Sequence, residues 1–164
     1  MSDIDIQAYR DTHHLLVEAV AGLSEEELTW KESPVKWSVT EVLAHLADHS
    51  IAVSFRIRDI LADTTAQLPA FNQDKWVAGQ RANESSVTDA LHVFQALLVY
   101  NSLLFGRLSE AELNKSGINF KGETVRVRDI IAGFTKHVHI HLAQINRIKQ
   151  SYRNRLTAAG TEPA

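Results

Sequence analysis

Two pairs of histidines, each spaced four residues apart, are the residues of this sequence best suited to metal chemistry. They are His45 with His49 and His137 with His141. Residues four apart share one face of a helix, so each pair can present two neutral ring nitrogens to one divalent ion. Since the chain has no cysteine, any metal must be held by histidine, aspartate or glutamate.

The later pair lies where apolar residues are expected. At about 100° per residue, His137 and His141 are about 40° apart on a helix. Both fall inside the apolar stripe of that helix, which contains Ile130, Phe134, Ile145 and Ile148. His139 points to the opposite face, whereas Gln144 lies about 20° from His137. The sequence therefore predicts a polar patch on an otherwise apolar wall.

The earlier pair flanks another apolar stripe. Arg56, eleven residues after His45, returns to within about 20° of it. His49 lies nearer the centre of the stripe and His45 nearer the edge, where a neighbouring helix would meet it. A third histidine from a facing helix would complete a three-ligand set with open coordination positions, as in catalytic metal sites.

Each of these features has one interpretation that involves a ligand and another that does not. The histidines could be core residues, each hydrogen-bonded to its own buried partner. Arg56 could bind a substrate carboxylate or form a salt bridge at the rim. The tryptophans, Trp30, Trp37 and Trp76, could line a pocket or anchor the loops that close the bundle.

Helical periodicity dominates the chain and predicts an all-α fold. Four long helices are expected at about 3–21, 39–62, 86–108 and 125–155, and capping boxes mark several starts, most clearly Ser38 to Glu41. The connection 63–85 and the loop 114–124 lack this period. Four such helices with long connections indicate a four-helix bundle.

Composition indicates one domain over residues 1–155, followed by a flexible C-terminal tail at 156–164. The 164 residues are 45% hydrophobic with a formal net charge of −3, and no basic run suggests a nucleic-acid partner. No apolar stretch approaches about 18 residues and the first residues are acidic, so neither a membrane span nor a signal peptide is expected. These features predict a cytoplasmic protein.

Three short motifs stand in order along the chain. They are a Trp-Ser pair at 37–38, a Glu-Val-Leu-Ala-His-Leu run at 41–46 and a His-x-x-x-His-x-x-Gln-Ile segment at 137–145. In this combination they resemble the pattern of the DinB-like superfamily, also called DinB/YfiT, in which the Trp-Ser pair opens the second helix. The similarity covers nearly the whole chain, and the Asp-Lys-Trp stretch around Trp76 is also typical of the family.

The resemblance implies a four-helix bundle with up-down-down-up order, paired into a homodimer. It also implies a metal triad of His45, His137 and His141 that binds nickel, zinc or a similar divalent ion. His49 is then a candidate additional ligand, and Arg56 and Gln144 are candidate pocket residues that orient a small-molecule substrate. Relatives with known activity include transferases that depend on a low-molecular-weight thiol and a maleylpyruvate isomerase.

Two classes of function therefore stay open. The first is a metal-dependent enzyme, either a thiol-cofactor-dependent transferase or isomerase or a hydrolase that uses metal-activated water. The second is a non-catalytic bundle, a small-molecule binder or stress-related dimer whose histidines are vestigial. No general base can be identified from the sequence.

Overall fold

Helices make up most of the chain in the computed structural model, which describes residues 4–160. In chain order the elements are α1 (Ile6–Val20), α2 (Glu25–Thr29), α3 (Val39–Leu61), α4 (Gln73–Gly79), a 3-10 turn (Ala82–Glu84), α5 (Val87–Phe105), α6 (Glu110–Leu113), β1 (Ser116–Ile118), β2 (Thr124–Arg126) and α7 (Val127–Ala159). No helix in this range is both long and apolar enough to cross a membrane.

Helices α1, α3, α5 and α7 form a four-helix bundle in which α1 and α3 each pack against α5 and α7. Tyr9 near the start of α1 contacts Phe105 at the end of α5, so these two helices are antiparallel. Lys149, late in α7, donates a hydrogen bond to the Ala19 carbonyl near the end of α1. Because Tyr9 also contacts Phe134, early in α7, α1 and α7 run parallel.

Contacts of α3 give the remaining directions. His45 lies near His141 and His49 near Phe134, so the partners on α7 move backwards as α3 advances and the two helices are antiparallel. Arg58, late in α3, bonds to Asn101, late in α5, so these helices are parallel. The predicted up-down-down-up bundle is therefore confirmed.

The site-bearing helix α3 begins at the predicted capping box. The Ser38 hydroxyl accepts from the Glu41 amide, and a Glu41 carboxylate oxygen accepts from the Ser38 amide. Lys31 adds an ion pair to Glu41 with a 2.7 Å Nζ–Oε1 distance. These bonds satisfy N-terminal amides and fix where the first turn of α3 begins.

A buried polar network holds α1, α3 and α5 in register. The Asn101 side-chain amide donates to the Tyr9 hydroxyl (3.1 Å) and to Ser54 Oγ (2.8 Å). Its oxygen accepts from Arg58 Nη1 at 2.8 Å. Because each bond needs its partner at one height along the bundle, the network disfavours sliding of these helices.

Two connections contain more structure than the sequence predicts. The aperiodic 63–85 segment includes α4 and the 3-10 turn, and the loop expected at 114–124 contributes to an antiparallel hairpin of β1 and β2. The prediction of a plain loop there was wrong because three-residue strands leave no readable alternation. A Cβ at Gly117 would lie 2.9 Å from Ile60 Cγ1, so the hairpin packs closely on α3.

The helix ends differ slightly from the predicted ends. Helix α1 begins at Ile6, and the final helix begins at Val127 and continues past the predicted end at Arg155 to Ala159. Part of the predicted C-terminal tail is thus helical, and residues 161–164 lie outside the described range. The single-domain division and the flexibility of the tail stay predictions.

Candidate metal centre

Three histidines from two antiparallel helices converge between α3 and α7. His45 lies two turns into α3, and His137 and His141 lie one turn apart on α7. The Nε2 atom of His137 is 3.4 Å from Nε2 of His45 and 3.1 Å from Nε2 of His141. One ligand atom from each of the three residues lies within 4.8 Å of the other two.

Gln144 determines which nitrogen of His141 faces the cluster. Its Oε1 lies 2.7 Å from His141 Nδ1. An amide oxygen accepts hydrogen bonds and cannot donate them, so Nδ1 carries the proton in this amide orientation. His141 Nε2 then presents a lone pair towards His137. Gln144 thus lies in contact with a histidine of the cluster.

Burial keeps the clustered imidazoles neutral. It lowers the pKa of His45 to about 3 and the pKa of His137 to about 4, with further lowering from neighbouring histidines. Burial also lowers the pKa of His141, opposed by the hydrogen bond from its ring to Gln144. Near neutral pH the three rings are therefore uncharged and able to donate nitrogen lone pairs.

The contacts among these three rings do not give every ring nitrogen the hydrogen-bond partner that is expected for an ordinary core histidine. The one ring proton of neutral His137 cannot serve both Nε2 neighbours, and His141 Nε2 already presents a lone pair. Nδ1 of His45 and Nδ1 of His137 are buried without a hydrogen-bond partner in the described chain. If these were ordinary core histidines, each ring would have its own hydrogen-bond partner outside the cluster. Of the three, His141 has such a partner, which is Gln144.

The donor set fits a divalent ion. Nitrogens about 2.0–2.1 Å from a tetrahedral zinc are roughly 3.3 Å apart, close to the separations of His137 from its two neighbours. Imidazole suits zinc, nickel, copper and iron, and the ring of His141 already has the second hydrogen bond that orients a ligating histidine. Residues His45, His137 and His141 could therefore hold the metal.

His49 lies beside this cluster without adding a nitrogen to it. Its ring centroid is 3.9 Å from that of His137, and the two planes are tilted by 32°, which is a packing contact between ring faces. Burial, followed by the charges of His137, His45 and Arg56, lowers the pKa of His49 to about 2. His139 is exposed, as its helical position predicts.

Aromatic side chains enclose the cluster. Trp37 stacks on His141 with ring centroids 6.3 Å apart and also contacts His45. Phe71, from the connection before α4, lies 6.1 Å from His45 and 6.3 Å from His49, measured between centroids. His45 is consequently only 1% exposed, although its helical angle predicts an edge position.

The segment that carries Phe71 is fastened to α3. Gln80, directly after α4, donates to Asp48 Oδ2 with a 2.6 Å separation. Asp48 is buried and directly precedes His49. Burial raises the pKa of Asp48, partly opposed by the Gln80 hydrogen bond. Helix α4 therefore lies against the half of α3 that carries the histidines.

A cavity of about 490 Å³ reaches the cluster from outside. Its floor is α7, where His141, Gln144 and Arg147 share one face, and its walls include Trp37 and Asp74. Polar groups thus surround the approach to His141. This cavity is large enough for a small-molecule substrate.

Arg56 lies away from that approach. It is half-buried, donates from Nη2 to the Pro69 carbonyl at 3.0 Å and places its guanidinium carbon 5.9 Å from the centre of the Phe71 ring. Within residues 4–160 it forms no ion pair, so the rim salt bridge allowed by the sequence is not made. Of the two predicted pocket residues, Gln144 touches the cluster and Arg56 does not.

Sequence reasoning missed the enclosing role of Phe71 and found only part of that of Trp37. Trp37 directly precedes the capping box, a position that places it at the entry to α3 and could have indicated the site. Phe71 lies in an aperiodic connection, where no spacing rule relates it to His45. Of the tryptophans, Trp37 and Trp76 line cavities, whereas Trp30 packs on Tyr152.

Relatives with similar sequences carry names that refer to metal chemistry. A protein of Oceanobacillus iheyensis named "Putative metal-dependent hydrolase" is 28% identical over 130 residues, covering 79% of this chain and 75% of the relative. A protein of Geobacillus thermodenitrificans with the same name is 26% identical over 147 residues, covering 88% and 82%.

Two solved structures share the fold. YfiT from Bacillus subtilis, described as "a probable metal-dependent hydrolase with an unusual four-helix bundle topology", superposes with a TM-score of 0.83 at 19% identity, covering 90% of this chain and 85% of YfiT. A mycothiol-dependent maleylpyruvate isomerase gives a TM-score of 0.68 at 12% identity, covering 85% of this chain and 58% of the isomerase. The model of the DinB superfamily matches residues 8–145, and this chain therefore belongs to that superfamily, as the sequence motifs predict.

Proposed function

We propose that this protein is a metal-dependent hydrolase whose divalent ion is held by His45, His137 and His141. The observation that carries this proposal is the convergence of three neutral imidazoles from two helices, with Nε2 separations of 3.4 and 3.1 Å around His137. No carboxylate joins this cluster in the described chain. Three protein ligands are the usual number in catalytic zinc sites, where a further position stays open.

The chemistry follows from the donor set and its surroundings. A divalent ion held by these three histidines would supply Lewis acidity towards a substrate carbonyl and would lower the pKa of a water molecule. Gln144 holds the proton of His141 on Nδ1 and keeps Nε2 available as a donor. Trp37 and Phe71 cover the rings and reduce their contact with water, which strengthens electrostatic interactions in the site.

The cavity at His141 is the proposed route for the substrate. Arg147 and Gln144 lie on its floor and can donate hydrogen bonds to an ester, amide or carboxylate group of the ligand. Arg147 is six residues from His141, about 9 Å along the helix axis. This spacing favours a small substrate with an acceptor group at about that distance from its reacting carbonyl.

A thiol-dependent transferase or isomerase is the second candidate. It is supported by the shared fold of the mycothiol-dependent isomerase, of which this chain spans 58%. The sequence has no cysteine, so a thiol nucleophile would have to come from a low-molecular-weight cosubstrate bound in the thiolate form. Turnover that requires an added thiol would favour this candidate over hydrolysis.

Elemental analysis of untagged protein, followed by assays with ester and amide substrates, tests the proposal. We expect about one divalent ion per chain and hydrolysis that is lost in His137→Ala and in chelator but retained in His139→Ala. A protein that binds neither nickel nor zinc would support the non-catalytic alternative. The homodimer and the cytoplasmic location stay predictions.

A further inference from the structure

A second cavity, of about 430 Å³, has Phe71 in its lining. It is formed by the outer face of α3 and by the connection between Pro69 and Trp76. Phe71 belongs to its wall and also contacts the rings of His45 and His49. One aromatic side chain thus borders this cavity and also contacts two histidine rings beside it.

The lining of this cavity is mostly apolar. Ile51, Phe55 and Trp76 are 48%, 55% and 42% exposed, and Ala52 and Ala70 add small apolar surface. Large apolar side chains grouped around a concavity suggest a ligand site more strongly than the same side chains scattered over a surface. At about 30 Å³ per water-sized group, the volume admits on the order of ten non-hydrogen atoms.

Arg56 is the charged residue in the lining, and none of the described residues that line the cavity is acidic. Its guanidinium is partly withdrawn from water, and burial lowers its pKa. A guanidinium has five N–H donors. In Arg56, one of them forms a hydrogen bond to the Pro69 carbonyl. A partly desolvated cation without an anionic partner is stabilised by a ligand that brings a carboxylate.

We propose that this cavity binds a small carboxylate with an apolar body, with the carboxylate on Arg56 and the body against Phe55 and Trp76. The site is distinct from the proposed metal centre and needs no ion for binding. Phe71 is the wall that the two sites share, so a ligand here would lie next to the histidines. The protein would then have an anion site next to Phe71, beside the histidine cluster.

Decanoate is a suitable probe, with calorimetry on metal-free protein in chelator as the measurement. We expect saturable binding of decanoate and at least about tenfold weaker binding of decanol, which lacks the charge. Arg56→Gln should weaken decanoate binding about tenfold to a hundredfold, while Arg56→Lys should retain part of the affinity. Decanol binding should change little in Arg56→Gln, because the apolar contacts stay.

Two further variants distinguish binding in this cavity from binding elsewhere on the protein. Arg147→Gln and Lys36→Gln remove the two cations that line the cavity at His141 and should each leave decanoate affinity unchanged. Ala52→Phe fills the apolar cavity and should abolish binding without altering charge. Equal binding of decanol and decanoate, or full affinity in Arg56→Gln, would overturn the proposal. Because the test excludes metal, its outcome is independent of whether the metal-centre proposal holds.

Discussion

Nδ1 of His141 lies 2.7 Å from Oε1 of Gln144, three residues further along α7. This contact assigns the ring proton to the side facing away from the cluster and leaves Nε2 pointing at His137. The two residues share one rigid helix, so the orientation of the donor is set before any ligand arrives. Such an outer hydrogen bond is a usual feature of metal-ligating histidines.

The first prediction concerns this contact. Gln144→Leu should weaken nickel or zinc binding about tenfold to a hundredfold, because His141 loses the acceptor that fixes its tautomer and orientation. Competition with a chromogenic chelator measures the affinity. Gln150→Leu is the matched control and should leave affinity unchanged, since the Gln150 side chain on the same helix bonds to exposed Asn154, away from the histidines. Equal affinity of Gln144→Leu and wild type would contradict the assignment.

The second prediction concerns stabilisation by metal. At free metal about 100-fold above its dissociation constant, the folded state should gain roughly 2.7 kcal/mol, or roughly 5–10 °C in Tm. Thermal melts with nickel, with zinc and with chelator measure this gain. His137→Ala should abolish it, whereas His139→Ala should preserve it because that side chain is exposed. If metal changes the Tm of neither wild type nor His45→Ala, the metal-site proposal is wrong.

The third prediction concerns the acid stability of the metal-free protein. Burial lowers the pKa of His45 from 6.5 to about 3, so below about pH 6.5 the unfolded chain binds a proton that the folded chain does not. The free energy of unfolding should therefore decrease as the pH drops below about 6.5, by up to about 1.4 kcal/mol per pH unit for each such histidine. Urea denaturation in chelator from about pH 7.5 to about pH 4.5 measures the slope.

A variant comparison assigns that slope to the site. His45→Gln should flatten the pH dependence, while His92→Gln, on the exposed face of α5, should not. The same protonation opposes metal binding, so affinity should also fall with pH. Equal slopes in wild type and His45→Gln would show that the acid sensitivity comes from other groups.

The fourth prediction concerns the Asn101 network. Asn101→Leu removes the partner of the buried Tyr9 hydroxyl and one acceptor of Arg58, and should destabilise the fold by about 2–3 kcal/mol. Asn154→Leu, at an exposed position of α7, should change stability by less than about 0.5 kcal/mol. Denaturant titration gives both values. Metal stoichiometry should stay unchanged, since the network does not touch the histidines.

The sequence predicted the helical elements and the histidine pairs because both depend on periodicity along one helix. His137, His141 and Gln144 lie within two turns of α7, so their relative positions follow from helix geometry. The approach of His45 to His137 depends on the packing of two helices that are distant in sequence, and family motifs rather than spacing indicated that pairing. Phe71 and the hairpin depend on tertiary contacts of short or aperiodic segments, which leave no period to read.

Parallel packing of α3 and α5 has a consequence for how such a protein can diversify. The chain must travel back along the bundle between these helices, and this return carries Phe71, Trp76 and Gln80 past the imidazoles. Mutations in the return segment can reshape what lies against the imidazoles while the helices that supply the nitrogens keep their sequence. Part of the surface around the cluster is thereby encoded apart from the donor geometry, and this part can evolve separately.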